Sequence, residues 1–167
     1  MQYQKSSLLF AMLVLAAATF VWRSSVHLPA MVASHFDAAG AANGFMLQAF
    51  YLRLMLLLVL GLPTQMVLLT WYAIGKPEAR INLPNKDFWL APERRGATIA
   101  YLRNGIVWFG IMLLALLCYM HWLVVLANAA QPPRLSSAGF IGGLLAFFIV
   151  LFIWLRRLLA RFRHRVA

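Results

Sequence analysis

The chain has 167 residues, of which 63% are hydrophobic and only 11% are charged. A soluble domain has about a quarter of its residues charged, and a chain this short cannot bury such an apolar excess in its own core. The composition therefore excludes a soluble globular protein and predicts one transmembrane domain covering residues 1–167. The net charge is +11, and in a membrane protein the positions of the charged residues along the chain matter more than their sum.

Four apolar segments are long enough to cross a bilayer as helices. A spanning helix needs about 20 mostly apolar residues, and a charged residue at its centre is costly. The gaps between charged residues place the spans at about 6–22, 52–74, 104–127 and 136–156. The predicted fold is all-α, an integral membrane four-helix bundle with an extracytoplasmic loop between its first two helices. Pro63 predicts a kink in the second span.

The first segment leaves an alternative open. Its apolar part runs only from Leu8 to Trp22 and includes small residues such as Ala18, a pattern that a cleaved signal peptide shares. The segment before it holds a single basic residue, Lys5, and the apolar run continues to Trp22. These features favour an uncleaved first span.

Lysine and arginine concentrate in two parts of the chain. Residues 75–103 carry six of them and residues 156–165 carry five, whereas residues 23–53 have basic residues only at their two ends. Basic loops stay on the cytoplasmic side. Both termini are therefore predicted to be cytoplasmic (N-in/C-in), and residues 23–53 are predicted to lie outside.

The basic tail has apolar residues at helical spacing, namely Leu155, Leu158, Leu159 and Phe162. We expect the fourth helix to continue into it as an amphipathic extension at the membrane surface. Anionic lipid head groups attract such a segment. The lipid bilayer is thus the predicted partner of the basic charge, and nucleic acid is not.

The outer loop contains residues that topology does not require. Leu28-Pro29 indicates an extended entry, and Asn43-Gly44 is a turn signal. If the residues between them are extended, His35 and Asp37 point to one face and Phe36 to the other. The predicted partner- or ligand-binding residues are His35, Phe36, Asp37, Gly40, Asn43 and Arg53.

This loop also carries a family resemblance. Its pattern is Leu28-Pro29, Val32, His35-Phe36-Asp37, Gly40, Asn43-Gly44 and Phe45. It resembles the bacterial membrane domain-of-unknown-function family 1648, which forms the N-terminal domain of SdpI-like immunity proteins, and the match covers about residues 1–75. Ala33 departs from the family, where a second proline is common, and so do Met46-Leu47-Gln48, which replace a small residue and a lysine. The resemblance implies a small, uncleaved, multi-span protein of the bacterial cytoplasmic (inner) membrane and supplies no reaction.

The predicted cytoplasmic loop between the second and third spans is also distinctive. Phe88 and Trp89 suit the level of the lipid head groups, and Pro92 and Glu93 are typical of the first turn of a helix. We expect Asp87 and Glu93 to pair with neighbouring cations. The loop is either a membrane-surface anchor or a docking surface for a cytoplasmic partner. Its assigned residues are Asn85, Lys86, Asp87, Trp89, Glu93, Arg94 and Arg95.

Five side chains that can bind metals fall near the outer ends of the spans: His27, His35, Asp37, Cys118 and His121. Zn²⁺ is usually held by about four such ligands in a tetrahedron, so a metal- or proton-handling site is one hypothesis. In the alternative interpretation, Asp37 pairs with Arg53, His35 bonds within the loop and His121 is hydrated near the interface. No cofactor is expected.

Gly139 and Gly143 form a Gly-x-x-x-Gly pattern at the start of the fourth span. It suits close packing within the bundle or a homo-oligomer face. No catalytic motif is present, so a non-enzymatic role is predicted. Three functions remain open: an immunity-like, regulatory or accessory protein that binds another membrane or secreted protein through the outer loop, a metal- or proton-handling protein, and a subunit of a larger membrane complex.

Overall fold

The computed structural model describes residues 2–163, with side chains from residue 4 onward. Residues 164–167, and with them Arg165 of the predicted basic tail, lie outside the described range. The elements are α1 (Gln2–Ser25), β1 (Met31–Phe36), β2 (Ala42–Leu47), α2 (Gln48–Leu56), a π-helical segment (Leu57–Gly61), α3 (Leu62–Gly75), α4 (Lys86–Trp89), α5 (Pro92–Ala129) and α6 (Ser137–Arg163).

Four helices are long and apolar enough to cross a membrane, as predicted: α1, the continuous rod Gln48–Gly75, α5 and α6. The protein is therefore a helical membrane-embedded protein. The helices are longer than the predicted spans, most of all α5, which begins at Pro92 with Glu93 in its first turn. Hydropathy marks only the part of a helix that lies in hydrocarbon, and helices continue beyond it wherever the backbone hydrogen bonds continue.

The rod Gln48–Gly75 is irregular just before Pro63, the residue at which a kink was predicted. Proline has no N–H, so it cannot complete the helical hydrogen bond to the carbonyl four residues earlier, and its ring crowds that carbonyl. The π-helical segment Leu57–Gly61 ends two residues before Pro63, which is buried. The wider turn absorbs the mismatch while the chain remains helical.

Three helical rods form the core. Ala17 and Val21 of α1 pack with Val59 and Leu114, and nearer the N-terminus of α1 Phe10 packs with Val67 and Val107. The most apolar window of α6 has no buried residue, and α6 packs chiefly against α5. The predicted four-helix bundle is thus a three-helix core with α6 at its periphery, and α1 is part of that core.

The predicted all-α fold holds for the spans, but the chain departs from it between α1 and α2. There β1 and β2 form an antiparallel hairpin, with Val32 opposite Met46. Its turn is at residues 37–40 and not at Asn43-Gly44, which lies within β2. Gly44 is needed in the strand because a Cβ there would stand 2.9 Å from the Cβ of His35.

The molecule has two unlike ends. The hairpin end comprises residues 26–47 and the α5–α6 connection, residues 130–136. The basic end comprises the start of α1, residues 76–103 and the end of α6.

Candidate functional site

The hairpin is held to the bundle by the side chain of Asn128 in α5. Its amide oxygen accepts a hydrogen bond from the Ala33 N–H at 2.8 Å, and its amide nitrogen donates to the Ala33 carbonyl at 2.9 Å. The side chain therefore pairs with β1 as a neighbouring strand would. Asn128 is the residue that positions the inner edge of the hairpin.

Gln48, at the start of α2, holds the other side of the hairpin end. Its amide nitrogen lies 2.9 Å from the carbonyl oxygen of Ser25, 3.2 Å from that of Val26 and 3.0 Å from that of Leu28. These carbonyls belong to the end of α1 and the segment after it, and the last carbonyls of a helix have no partner within the helix. The two amide hydrogens of Gln48 are shared among these three carbonyls, and the side chain thereby joins α1 to α2.

The turn of the hairpin is bonded to the start of α6. The Leu135 N–H donates to the Gly40 carbonyl at 2.8 Å, and Ala41 forms a β-bridge with Arg134. Gly40 has a φ of +82°, and a Cβ at this position would overlap the carbonyl oxygen of Leu135. Glycine suits this conformation and leaves the necessary space, so the predicted importance of Gly40 is explained by the turn it makes.

Inside the turn, Asp37 is a structural group and not the partner of Arg53. Its carboxylate accepts a hydrogen bond from the Ala41 N–H at 2.8 Å, an arrangement that Asp favours in turns. His35 Nδ1 lies 3.0 Å from the Ser34 hydroxyl, which confirms the expectation that His35 bonds within the loop. The expected Asp37–Arg53 pair is wrong because the turn holds the carboxylate against its own backbone.

The hairpin presents a mixed outer surface. His35, Asp37 and Asn43 are exposed. On β2, Phe45 is 53% exposed and Leu47 is 64% exposed, because the alternation of the strand turns them away from the bundle. The surface thus combines polar groups at the tip with apolar side chains along the strand.

A cavity of about 540 Å³ lies beside the tip. One wall is formed by residues 34–38 of the hairpin, and the other by α5 and α6. Phe36 is half-buried in the first wall, and Leu123, Phe140 and Ile141 contribute apolar surface opposite. The exposed His35 and Asp37 also line this cavity, so three of the six predicted site residues (His35, Phe36 and Asp37) lie at one place. Gly40 is buried in the adjacent turn, Asn43 is on β2 and Arg53 is on α2.

Behind the hairpin, His121 forms a buried polar contact among three helices. Its Nε2 lies 2.7 Å from the Ser24 hydroxyl of α1, and its Nδ1 lies 2.9 Å from the Tyr51 hydroxyl of α2. His121 is fully buried. The expectation of a hydrated His121 is wrong because the imidazole faces the helix interface and not the bilayer surface.

The five candidate metal ligands are not brought together. Within residues 2–163, no group of three or more His, Cys, Asp or Glu side chains could hold a metal ion. Both nitrogens of His121 already have hydrogen-bond partners, and His35 contacts Ser34. His27 is exposed, and of the five candidates only His35 and Asp37 line the same cavity.

The loop at the basic end packs against α6. Asn85 has a φ of +54° and its side-chain amide donates to the Phe162 carbonyl at 2.9 Å. Phe162 is fully buried and meets Trp89 and Tyr101 edge to face. The predicted helical extension of α6 is confirmed as far as Arg163, but Phe162 packs on protein and not on the membrane surface.

The expected ion pairs of this loop are replaced by other contacts. The guanidinium of Arg94 lies 4.0 Å from the centre of the Phe88 ring. Arg95 donates to the backbone carbonyls of Lys76 and Pro77. Arg94 and Arg95 are thus bound by an aromatic ring and by carbonyls, while Lys86, Asp87 and Glu93 remain exposed.

The glycines of the Gly-x-x-x-Gly pattern face α5. A Cβ on Gly143 would overlap the ring of Tyr119, and the Tyr119 hydroxyl donates to the Gly139 carbonyl at 2.9 Å. The pattern therefore serves packing within the chain, the first of its two predicted uses. A homo-oligomer through the same two glycines would have to displace Tyr119.

Sequence reasoning missed Asn128, Gln48, Ser24 and Tyr51, which position the hairpin and His121. The available signal was the presence of polar side chains at the ends of apolar segments, where they hydrogen-bond across helices. Spacing alone does not show which of them meet.

Comparison of the chain with protein-family models, curated proteins and solved structures finds no match.

Proposed function

We propose that this is a non-enzymatic binding protein of the bacterial inner membrane, with both termini in the cytoplasm and the hairpin outside, which recognises another membrane or secreted protein. The proposal carries forward the resemblance to family 1648 and places the chain in the immunity-like or accessory class. The observation that supports it best is that the hairpin is fixed to the helices by hydrogen bonds, with exposed His35 and Asp37 beside a cavity of about 540 Å³.

The way the hairpin is held supports binding because a preorganised surface loses little freedom when a partner docks. Three separate attachments hold it, through Asn128, through Gln48 and through Leu135. In this proposal, the partner inserts an apolar side chain into the cavity. His35 and Asp37 at its edge then recognise a neighbouring polar group.

Charge distribution supports the proposed orientation. Eleven of the 15 Lys and Arg residues lie in residues 75–103 and 156–165, and only Arg134 lies in the α5–α6 connection. The hairpin end is thereby the side expected to be translocated. Any partner of the hairpin would then be met outside the cytoplasm.

The test is site-specific photocrosslinking in cells that make the full chain. A photoreactive amino acid replaces Ala38, which is exposed and lines the cavity. We expect a discrete crosslinked product that decreases at least tenfold in His35→Ala and in Asp37→Asn. The asparagine keeps the oxygen that accepts from Ala41, so the turn persists and only the charge is lost.

His27→Ala is the matched control, because His27 is an exposed histidine at the same end that does not line the cavity. It should leave the product unchanged. Equal crosslinking in His35→Ala, Asp37→Asn and His27→Ala would refute recognition through the hairpin tip.

A further inference from the structure

A crevice at the basic end lies between α1, α3 and α5, on the opposite end of the molecule from the hairpin. Its volume is about 670 Å³. The walls are mainly apolar and aromatic: Phe10, Val67, Leu68, Trp71, Tyr72 and Val107. Leu68 is 61% exposed and Tyr72 is 67% exposed, so the crevice opens sideways, where a membrane-embedded helix meets lipid.

Arg103 of α5 lines this crevice, and no carboxylate in the described part of the chain pairs with its charge. Its guanidinium lies 5.0 Å from the centre of the Trp71 ring and donates to the Trp71 carbonyl at 3.3 Å. Its Nε is buried and has no hydrogen-bond partner among the described residues. Arg103 is only partly buried, but removing part of a cation from water is costly unless an anion or further hydrogen bonds compensate it, so this position favours an anionic ligand.

The backbone of α3 leaves room for the guanidinium. A Cβ on Gly75 would overlap Arg103, so glycine at the end of α3 allows the arginine to lie across the helix terminus. There the cation is next to the last carbonyls of α3, where positive charge is favourable. This arrangement keeps Arg103 at the rim of the crevice.

A second cation lies on the ring of Tyr72, a residue of the crevice wall. The ammonium of Lys76 is 4.8 Å from the centre of the Tyr72 ring, and Tyr72 is a wall of the crevice. Trp71 and Tyr72 are residue types that favour the level of the lipid head groups. Each of the two interfacial aromatic residues of the crevice wall is thus in contact with a cation, Trp71 with Arg103 and Tyr72 with Lys76.

From this geometry we propose that the crevice binds one anionic phospholipid, with an acyl chain between α1 and α3 and the phosphate beside Arg103 and Lys76. Basic pockets between transmembrane helices bind such head groups in other membrane proteins. A small soluble anion would leave the apolar walls unused, so the crevice fits a lipid. The site is independent of the hairpin, and the two proposals are tested separately.

The experiment is native mass spectrometry of the purified full chain in detergent, titrated with dioleoyl phosphatidylglycerol. We expect one tightly bound lipid, and about a fivefold or larger loss of affinity in Arg103→Gln, the scale expected for one basic residue at an anionic lipid. Lys76→Gln should also lower the affinity for the lipid. Because Lys76 is exposed, this variant keeps the test available even if Arg103→Gln does not fold. Arg94→Gln is the control, because that cation lies on Phe88 outside the crevice.

Two ligand comparisons separate this site from its alternatives. Equal binding of dioleoyl phosphatidylcholine would show that the crevice binds acyl chains regardless of the charge of the head group. Full competition by glycerol phosphate would show a soluble-anion site. Either result would overturn the proposal, as would equal affinities in the Arg103→Gln, Lys76→Gln and Arg94→Gln proteins.

Discussion

At the scale of single residues, the hydrogen bonds of its neighbours favour one tautomer of His121. The Ser24 hydroxyl donates to the Phe20 carbonyl at 2.6 Å, so its oxygen is left to accept from His121 Nε2–H. Nδ1 then accepts from the Tyr51 hydroxyl. In this tautomer the neutral imidazole and the Ser24 and Tyr51 hydroxyls all have hydrogen-bond partners. His121 thereby joins α1, α2 and α5 without burying a charge.

Removing the Tyr51 hydroxyl should therefore destabilise the protein. Tyr51→Phe leaves His121 Nδ1 buried without a donor, and we expect a loss of about 1 kcal/mol in the free energy of unfolding, within the range for buried and intramembrane hydrogen bonds. The measurement is reversible unfolding of the detergent-solubilised protein in increasing sodium dodecyl sulfate. Tyr72→Phe, on an exposed tyrosine, is the control, and equal stability of the two variants would contradict the proposed chain of hydrogen bonds.

For His121, the sequence predicts the position on the helix but not the burial of the side chain. The helical position of His121, one turn from Cys118, follows from spacing alone. Its burial does not, because burial depends on α1 and α2 placing Ser24 and Tyr51 on either side of the imidazole. Asp37 is similar, since the turn that captures its carboxylate is closed partly by α6, far away in the sequence.

At the scale of elements, the first turns of α6 pack on α5 through the face that carries Gly139 and Gly143. Gly143 faces Tyr119, whereas nothing lies within 4 Å of a Cβ on the adjacent Gly142. A cavity of about 460 Å³ continues along the same α5–α6 groove. The position of α6 therefore depends on which face of the helix carries the glycine.

This pair of glycines gives a matched prediction. Gly143→Ala forces the Tyr119 ring to move and should cost about 1–3 kcal/mol, the usual range for overpacking. Gly142→Ala should be neutral or stabilising by up to about 1 kcal/mol, because alanine is the better helix former. Thermal denaturation in detergent measures both, and a lower midpoint for Gly142→Ala than for Gly143→Ala would contradict the packing of α6.

The hairpin is the element that the sequence placed least well. Leu28-Pro29 correctly indicates that α1 has ended, and the residues after it are extended, as expected. The turn signal at Asn43-Gly44 lies five residues after the central residues of the observed turn, 38 and 39, although Asn-Gly has a strong local turn preference. Tertiary contacts override that preference: Gly40 bonds to Leu135, and Gly44 makes room for His35.

At the scale of the whole molecule, the two ends differ in charge and in architecture. The hairpin end is closed by a small sheet, whereas the basic end carries the loop that packs on Phe162. If the basic end is cytoplasmic, as proposed, the anionic phospholipid site faces the cytoplasmic leaflet, where basic residues meet anionic lipid. Partner binding and lipid binding are then separated by the full length of the spans.

Cysteine accessibility tests the proposed orientation. In a Cys118→Ala background, Asn43→Cys places a thiol on the hairpin and Glu78→Cys places one in the loop at the basic end; both positions are exposed. A membrane-impermeant maleimide should label the first in intact spheroplasts and the second only after permeabilisation. Labelling of the second without permeabilisation would reverse the topology.

The sequence by itself determined the number and approximate positions of the apolar helices, because a membrane span is a property of one continuous segment. It also determined where α5 begins and where charge accumulates, since Pro92, Glu93 and the runs of basic residues are local features. Only the tertiary structure decided that α6 is peripheral, that the outer segment is a hairpin and that His121 is buried. Each of these depends on contacts between residues far apart in the chain, and spacing within one segment carries no information about them.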